Sequence, residues 1–309
     1  MSANKTLEDI CASARKDPQA FIDACEKRYD NKIRTIAQEI VSSNRTEIVM
    51  IAGPSSSGKT TSAKKLAQMI EKMGGKSYTI SLDDFYLDND DAPRFPDGSP
   101  DFETVYALDI PYFQQCMQSL LDNNCADLPE FDFKNGRRSE QRHHLEIAPT
   151  DVIIVEGLHA LNPVITESLP PERLLKIYIN VSSRIYNQKG DLILNKRTQR
   201  FVRRLVRDYN SRGNSVEETF KLWVGVRYGE DTYLFPYKDN ADIRINTIHH
   251  YESCVLRDMA IPLLAEVPRT SPNFRECQRL IQHLRLFPAI DPALVPADSM
   301  MREFIGKKQ

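Results

Sequence analysis

The sequence predicts an α/β fold with a doubly wound, mainly parallel sheet. Short apolar runs rich in β-branched residues alternate with longer segments of helix-forming composition. The predicted strands are, in chain order, residues 47–52, 77–82, 151–157, 175–181 and 241–246. The first run ends at a glycine, and a helix-forming segment (61–75) separates it from the second. This order is that of a βαβ unit, which places two parallel strands in one sheet.

Three units are expected along the chain. The apolar positions of residues 6–42 recur with helical spacing, and Pro18 interrupts them. A second helix at 196–213 is predicted to end at Gly213 and to belong to a lid at about 184–215. The predicted units are a short helical N-terminal extension (1–44), a main domain (45–265), and a C-terminal helix and tail packed on that domain (266–309).

Bulk composition narrows the functional classes. The chain has 309 residues, of which 41% are hydrophobic and 27% charged, as in ordinary globular proteins. A formal charge of −2 gives no general attraction to nucleic acid, so we do not expect a nucleic-acid partner. The sequence shows neither a membrane-spanning apolar run nor a signal-peptide pattern. The six cysteines lack metal-binding or disulfide spacing, which is typical of reduced thiols in a cytoplasmic protein.

Residues 53–60 read GPSSSGKT and match the phosphate-loop pattern GxxxxGK[ST]. Glycines allow the backbone to curl so that its N–H groups converge on phosphate oxygens, and the following helix adds its dipole. In this pattern Lys59 reaches the β- and γ-phosphates, and the Thr60 hydroxyl binds Mg²⁺. The expected nucleotide-binding residues are Gly53, Ser55, Ser56, Ser57, Gly58, Lys59, Thr60 and Thr61. The sequence therefore predicts a P-loop NTPase fold with MgATP as cosubstrate.

Two carboxylates follow predicted strands. Asp83 comes at the end of the second strand, where it could accept the proton of an acceptor hydroxyl or orient that hydroxyl for attack. A turn or helix-capping aspartate is the alternative. Glu156 ends the third strand, where a Mg²⁺ contact through water is expected. Its alternative is a buried carboxylate paired with a cation.

Arginines recur at helical spacing in the predicted lid helix, at Arg200, Arg203, Arg204 and Arg207. Guanidinium groups on one helix face can bind phosphate and stabilise the charge that develops during phosphoryl transfer. The alternatives are a solvated basic face and a nucleic-acid patch. Beside a phosphate loop, the closing-lid interpretation is favoured, and with it a kinase that acts on a small molecule.

Several segments together resemble the uridine kinase/phosphoribulokinase family. They are GPSSSGKTT, SLDDFYL, DFETVYALD, LPEFDFKNGRR, DVIIVEGLHALN and RFVRRLVRDYNSRG, in this order. The resemblance covers roughly residues 45–309, and the ending VPADSMMREFIG is similar to the bacterial uridine-kinase-like branch.

The resemblance implies a role for each matching position. Asp83 would be the catalytic aspartate and Glu156 the acid associated with Mg²⁺, while Glu103 would hold the sugar hydroxyls of a nucleoside. Lys59 and two of the lid arginines would stabilise the transferring phosphoryl group, and the other lid arginines would contact the substrate. Arg204 and Arg207 would have the catalytic role, and Arg200 and Arg203 would contact the substrate.

The positions that read a pyrimidine base depart from the family pattern. Phe131 stands where uridine kinases have tyrosine, Gly136 where they have histidine, and Leu222 where they have glutamine. All three changes remove hydrogen-bonding groups. The acceptor is therefore either a nucleoside such as uridine or cytidine, or another metabolite such as a sugar phosphate or a non-pyrimidine nucleoside. A nucleotide-dependent RNA-binding module without transfer activity is a third interpretation, and a homo-oligomer is compatible with the sequence.

Overall fold

The computed structural model describes residues 5–43 and 48–307. The predicted boundary between residues 44 and 45, and the predicted start of the first strand at residue 47, therefore lie outside the described residues.

A five-stranded parallel sheet forms the centre of the described structure, in the order β11–β8–β1–β7–β2. Its strands are the five predicted from the sequence, so the α/β fold is confirmed. The strands of the whole described chain are β1 (Ile48–Ala52), β2 (Ser77–Ser81), β3 (Cys125–Leu128), β4 (Phe131–Asp132), β5 (Arg137–Arg138), β6 (His143–Glu146), β7 (Val152–Glu156), β8 (Leu174–Asn180), β9 (Ile185–Tyr186), β10 (Leu192–Leu194) and β11 (Ile243–Asn246).

Helices cover both faces of this sheet. They are α1 (Leu7–Lys16), α2 (Pro18–Ser42), α3 (Lys59–Lys72), α4 (Ile110–Asn123), α5 (Pro163–Thr166), α6 (Lys196–Arg212), α7 (Val216–Gly229), α8 (Glu252–Ala265), α9 (Phe274–Leu284) and α10 (Arg302–Ile305). Gly213 ends α6 as predicted, with a left-handed φ of 70° that favours glycine. Asp109 caps α4, and its side chain accepts a hydrogen bond from the backbone N–H of Tyr112.

Alternation along each strand divides the apolar residues between two cores. Val49 and Ile51 of β1 face one core, shared with α2, α3 and α8, while Met50 and Ala52 face the other, shared with α4. Every residue of β1 and β7 is buried, as expected for parallel strands covered on both faces. The carboxyl ends of the five strands therefore meet at one edge, where a ligand crevice forms in folds of this kind.

The sequence did not predict three short antiparallel strand pairs, which are β3 with β6, β4 with β5, and β9 with β10. The β4–β5 pair has only two residues on each side and includes Arg137 and Arg138. Strands this short and polar have no period-two apolar pattern to detect. Tertiary contacts, rather than local propensity, decide that they are extended.

The terminal segments share a core with the sheet. Ile36 from α2 and Phe304 from α10 belong to the same buried cluster as Ile51 and Ile177 of the sheet. The Glu26 carboxylate of α2 also accepts hydrogen bonds from the hydroxyls of Tyr251 and Ser299. The division into three units remains a prediction, because these packed faces do not define separate cores.

All six cysteines are free, and five of them are buried, where they pack in the core; their reduced state remains a prediction. No helix within residues 5–43 and 48–307 is both long and apolar enough to cross a membrane.

The packing of Phe304 generates a test of the C-terminal segment. The side chain is fully buried, and we expect Phe304→Ala to reduce the free energy of unfolding by about 3–5 kcal/mol, because it leaves a cavity. Phe133→Ala is the matched control, since the Phe133 side chain is 65% exposed. Denaturant unfolding of both variants checks this, and equal small losses would show that the C-terminal segment is not packed as described.

Candidate active site

The phosphate loop connects β1 to α3, and close packing requires its glycines. A Cβ added at Gly53 would lie 2.2 Å from the carbonyl oxygen of Ile179 in β8. Gly58 has φ of 87°, a conformation that L side chains rarely adopt, and it immediately precedes the helix. These constraints draw the loop around the N-terminus of α3, where the helix dipole favours an anion.

Polar groups of the loop are left without protein partners. The Lys59 ammonium forms no ion pair within the described residues. The hydroxyl oxygens of Ser56 and Ser57 are buried and have no hydrogen-bond partner there either. Buried polar atoms normally find partners, and phosphate oxygens would supply them here. The residues of this loop therefore fit the triphosphate of a nucleotide.

The two predicted Mg²⁺ residues lie together. The Thr60 hydroxyl donates a hydrogen bond of 3.0 Å to Glu156 Oε1. Burial raises the pKa of the Glu156 carboxyl, while the nearby Lys59 ammonium opposes this change. No cluster of three or more His, Cys, Asp or Glu side chains that could hold a metal occurs among the described residues. Mg²⁺ commonly combines one or two protein ligands with phosphate oxygens and water, and the Thr60 hydroxyl and Glu156 carboxylate are groups of the kind that it takes.

Asp83 follows β2 on a short 3₁₀ turn, on the same side of the sheet edge as the phosphate loop. Its side chain is solvent-accessible, yet surrounding protein atoms desolvate it and raise its pKa. The Lys59 ammonium is close enough to lower that pKa in part. A carboxylate that is both accessible and desolvated lines a cleft. The Asp83 carboxylate also acts on the pKa of Glu156, so the three charged groups share one site.

Further groups from the acceptor-side loops surround this cleft. Burial raises the pKa of the Glu103 carboxyl, with Arg204 opposing and Asp83 contributing to the rise. Phe131 is buried and packs against Tyr86, with 5.7 Å between the ring centroids. Glu103 is thus close enough to Asp83 for the two charges to interact, and Phe131 is part of an aromatic cluster.

Sequence reasoning missed two residues near this cleft. Burial raises the pKa of the Tyr86 phenol, and the Asp83 and Glu103 carboxylates add to the effect. Burial lowers the pKa of His159 to about 4, so its imidazole is neutral near pH 7, and the Lys59 charge contributes. Tyr86 lies in the segment SLDDFYL, and its position two residues after Asp84 was an available signal.

The structure gives physical reasons for two departures from the family pattern. Gly136 has φ of 64°, a left-handed conformation that L side chains rarely adopt, and a Cβ there would also displace the Asn89 side chain. Leu222 is 47% exposed on the surface of α7, while the adjacent Trp223 is buried against Arg200. Neither position offers a hydrogen-bonding side chain to a base.

The four lid arginines divide into two pairs. Arg204 donates a hydrogen bond of 2.9 Å to the Ser55 hydroxyl, and its charge affects Glu103. Arg207 lies 3.8 Å from Glu303 and pairs with the buried Asp208 at 2.8 Å. These two guanidinium groups are therefore next to the loop and the cleft. Their catalytic role remains a prediction.

Arg200 and Arg203 lie behind the phosphate loop instead. Arg200 forms a two-point ion pair with Glu230 at 2.5 and 2.7 Å, and both side chains are only 1% exposed. Arg203 pairs in the same way with Glu252 at 2.5 and 3.2 Å. In this arrangement both guanidinium groups are committed to buried carboxylates, and neither faces the cleft. The predicted substrate contact of these two residues has no support in this geometry.

The C-terminal segment also reaches the phosphate loop, which sequence reasoning did not predict. The Thr61 hydroxyl donates a hydrogen bond of 2.6 Å to Glu303, so a predicted nucleotide-binding group has a carboxylate partner. A Cβ at Gly58 would lie 2.7 Å from the sulfur of Met300. Phe304 stacks on Arg203, with the guanidinium carbon 5.1 Å from the ring centroid. The segment thus forms one wall beside the loop.

The fold, the phosphate loop and the adjacent carboxylates define a kinase that transfers a phosphoryl group to a hydroxyl. Residues 48–252 match the model of the phosphoribulokinase/uridine kinase family, and the chain belongs to this family. Membership implies use of a nucleotide as phosphoryl donor and of a small molecule as acceptor.

Similar proteins extend along most of the chain. The uridine kinase of Lactobacillus helveticus is 30% identical over 197 residues, which cover 63% of this chain and 84% of that protein. The uridine kinase of Borrelia hermsii is 30% identical over 226 residues, covering 72% and 95%. A solved structure from Silicibacter sp. TM1040, described as a fructose transport system kinase, has a TM-score of 0.50 at 18% identity and covers 69% and 98%, which supports the fold alone.

The buried pair Arg200–Glu230 generates a prediction about stability. Arg200→Met should reduce the free energy of unfolding by about 3–5 kcal/mol, because it leaves the Glu230 carboxylate buried without a cation. The double variant Arg200→Met/Glu230→Leu should recover most of this loss. Denaturant unfolding measures both effects.

Arg197→Met is the matched control, because the Arg197–Asp231 pair is partly exposed and should contribute less than about 1 kcal/mol. An Arg200→Met variant that unfolds like the unmodified protein but has lost nucleotide binding would contradict the structural role and support a direct phosphate contact.

Proposed function

We propose that this chain is an ATP-dependent kinase that phosphorylates a hydroxyl group of a nucleoside or a similar polyol. The observation that carries the proposal is the grouping of Lys59, Asp83 and Glu156 around one cleft, where the Lys59 charge opposes the raised pKa of both carboxyls and the Asp83 charge adds to that of Glu156. A phosphate loop supplies the donor side of this cleft, and a desolvated carboxylate supplies the acceptor side. In-line phosphoryl transfer requires both.

Each residue then has a distinct task. The loop N–H groups and Lys59 would hold the triphosphate, and Asp83 would orient the acceptor hydroxyl and accept its proton. Arg204 and Arg207 would balance the charge that spreads over the transferring group. Thr60, and Glu156 through water, would hold Mg²⁺, which when bound neutralises phosphate charge.

A nucleoside is the favoured acceptor for three reasons. The curated relatives described above are uridine kinases. Glu103, whose carboxylate lies in the electrostatic neighbourhood of Asp83 and Arg204, offers an acceptor for the hydroxyl groups of a sugar. Tyr86 and Phe131 provide an aromatic surface near these carboxylates, against which a planar base can pack.

Asp83→Asn tests the catalytic assignment. We expect turnover to fall at least about a hundredfold, because an amide cannot accept the proton, while the affinity for ATP changes little. Steady-state kinetics and direct ATP binding measure these quantities. Asp84→Asn is the matched control, since the Asp84 carboxylate accepts a hydrogen bond of 3.4 Å from the Phe131 backbone, outside the proposed proton transfer. Near-normal turnover in Asp83→Asn removes this residue from the role.

A different acceptor is the second candidate, because Phe131, Gly136 and Leu222 offer no hydrogen bonds to a pyrimidine. Sites that bind a substrate group by hydrogen bonds discriminate by about 10⁴–10⁵, whereas apolar pockets discriminate far less. We therefore expect nucleosides to be phosphorylated with weak preference among bases. A panel of nucleosides, sugars and sugar phosphates, scored by ADP release, tests this, and the highest kcat/KM for a sugar phosphate would overturn the nucleoside assignment.

A further inference from the structure

A large cavity lies at the N-terminal end of the lid helix α6. Its volume is about 1200 Å³, and its walls come from β8, the β9–β10 hairpin, the N-terminal part of α6, and helices α7 and α9. No phosphate-loop residue lines it, nor do Asp83, Glu103 or Glu156. The cavity is therefore a separate site within the described structure, with Arg200 as its link to the phosphate loop.

Cations dominate the charged residues of this cavity. Glu276 is the one carboxylate that lines it among the described residues, and it pairs with Arg279 at 2.6 Å. Arg184, Lys196 and Arg227 also line it and form no ion pair within the described residues. Positive groups held close together without counterions repel one another, so this arrangement costs stability in the absence of an anion.

The crowding at Lys196 supports this interpretation. Burial lowers the pKa of the Lys196 ammonium, and the positive charges of Arg184 and Lys238 lower it further. Three cations from the hairpin, from α6 and from the segment after α7 thus converge on one part of the cavity.

The start of α6 adds to the positive potential. Asn195 caps this helix, and Lys196 and Arg197 occupy its first positions, with no acidic residue in the first turn. Basic residues are unfavourable there, because the helix dipole already places positive charge at this end. The N-terminus of α6 and all of these side chains line the same cavity. A bound anion would interact favourably with the positive end of the helix dipole, and it would also reduce the repulsion between the basic side chains.

The remaining walls are partly aromatic. Tyr186, Phe220, Trp223 and Phe235 line the cavity, so a planar ring could pack beside the cationic groups. We propose that this cavity is a second binding site, distinct from the phosphate loop, for a small oligophosphate anion held by Arg184, Lys196 and Lys238. The shared chemistry is the chain of phosphates, which inorganic triphosphate and nucleoside triphosphates both carry.

Trp223 provides a local signal, because it is the only tryptophan in the sequence and lines the cavity. The full chain is titrated with inorganic triphosphate, and separately with UTP, while tryptophan fluorescence is recorded. We expect a saturable change in both titrations. Lys196→Gln should weaken binding at least about tenfold, the effect of losing one hydrogen bond to a charged group. Tighter binding of UTP than of triphosphate would show that the aromatic wall also binds the base. Equal binding would show that the site recognises only the phosphates.

Two controls separate this site from its surroundings. Lys189→Gln removes a charge from the same hairpin outside the cavity and should leave the titration unchanged. Lys59→Ala disables the phosphate loop and should also leave it unchanged. A fluorescence change that disappears in Lys59→Ala but persists in Lys196→Gln would overturn the proposal, as would equal losses in Lys196→Gln and Lys189→Gln. Unaltered binding in an Asp83→Asn background would show that the site does not depend on catalysis.

Discussion

The conformation of the phosphate loop depends on hydrogen bonds to its carbonyl groups from side chains on the protein side of the loop. The carbonyl oxygens of Ser55, Ser56 and Ser57 accept hydrogen bonds from Arg200 at 2.9 Å, Arg203 at 3.3 Å and Thr247 at 2.7 Å. With these carbonyls engaged on the protein side, the loop N–H groups that have no protein acceptor can face a phosphate, whereas those of Ser55 and Ser57 are bonded to Glu230 and Pro54. Donors fixed in advance in this way need little reorganisation when charge develops, which is how such sites stabilise phosphoryl transfer.

Holding the loop with arginine requires further buried charge. Two guanidinium groups behind the loop would be unstable alone, and the Glu230 and Glu252 carboxylates compensate them. Glu230 also accepts a hydrogen bond of 2.9 Å from the Ser55 backbone N–H, so one carboxylate connects lid and loop. Because α6 carries both these arginines and those nearest the cleft, a displacement of this helix would alter the loop and the lid together. The basic cavity at the start of α6 lies on the same helix.

The parts that the sequence predicted are those with local signals. The five sheet strands and the helix ending at Gly213 follow from apolar runs and a glycine stop, and the phosphate loop follows from its motif. The positions of Asp83 and Glu156 follow from strand ends, because parallel strands end at one edge of the sheet. Their catalytic roles remain predictions, since geometry alone does not measure a reaction.

The parts that could not be predicted depend on contacts distant in the sequence. Arg200 and Arg204 are one helical turn apart, yet Arg200 pairs with Glu230, which is 30 residues away, whereas Arg204 pairs with Asp208 of the same helix and donates to the Ser55 hydroxyl. Spacing alone cannot separate a structural arginine from one near the cleft. The same holds for Glu303, which reaches Thr61 across 242 residues. The short antiparallel strand pairs were missed because strands of two to four residues carry too little periodicity.

The pH dependence of kcat/KM, measured for the unmodified enzyme and for Asp83→Asn, tests the central claim most directly. Burial raises the pKa of Asp83, so activity that needs its carboxylate should be lost as the pH falls through a value above the ordinary aspartate pKa of about 3.9. This loss of kcat/KM at acidic pH should occur in the unmodified enzyme and should be absent from the residual activity of Asp83→Asn. An unchanged loss at acidic pH in the variant would contradict the placement of the acceptor hydroxyl against Asp83.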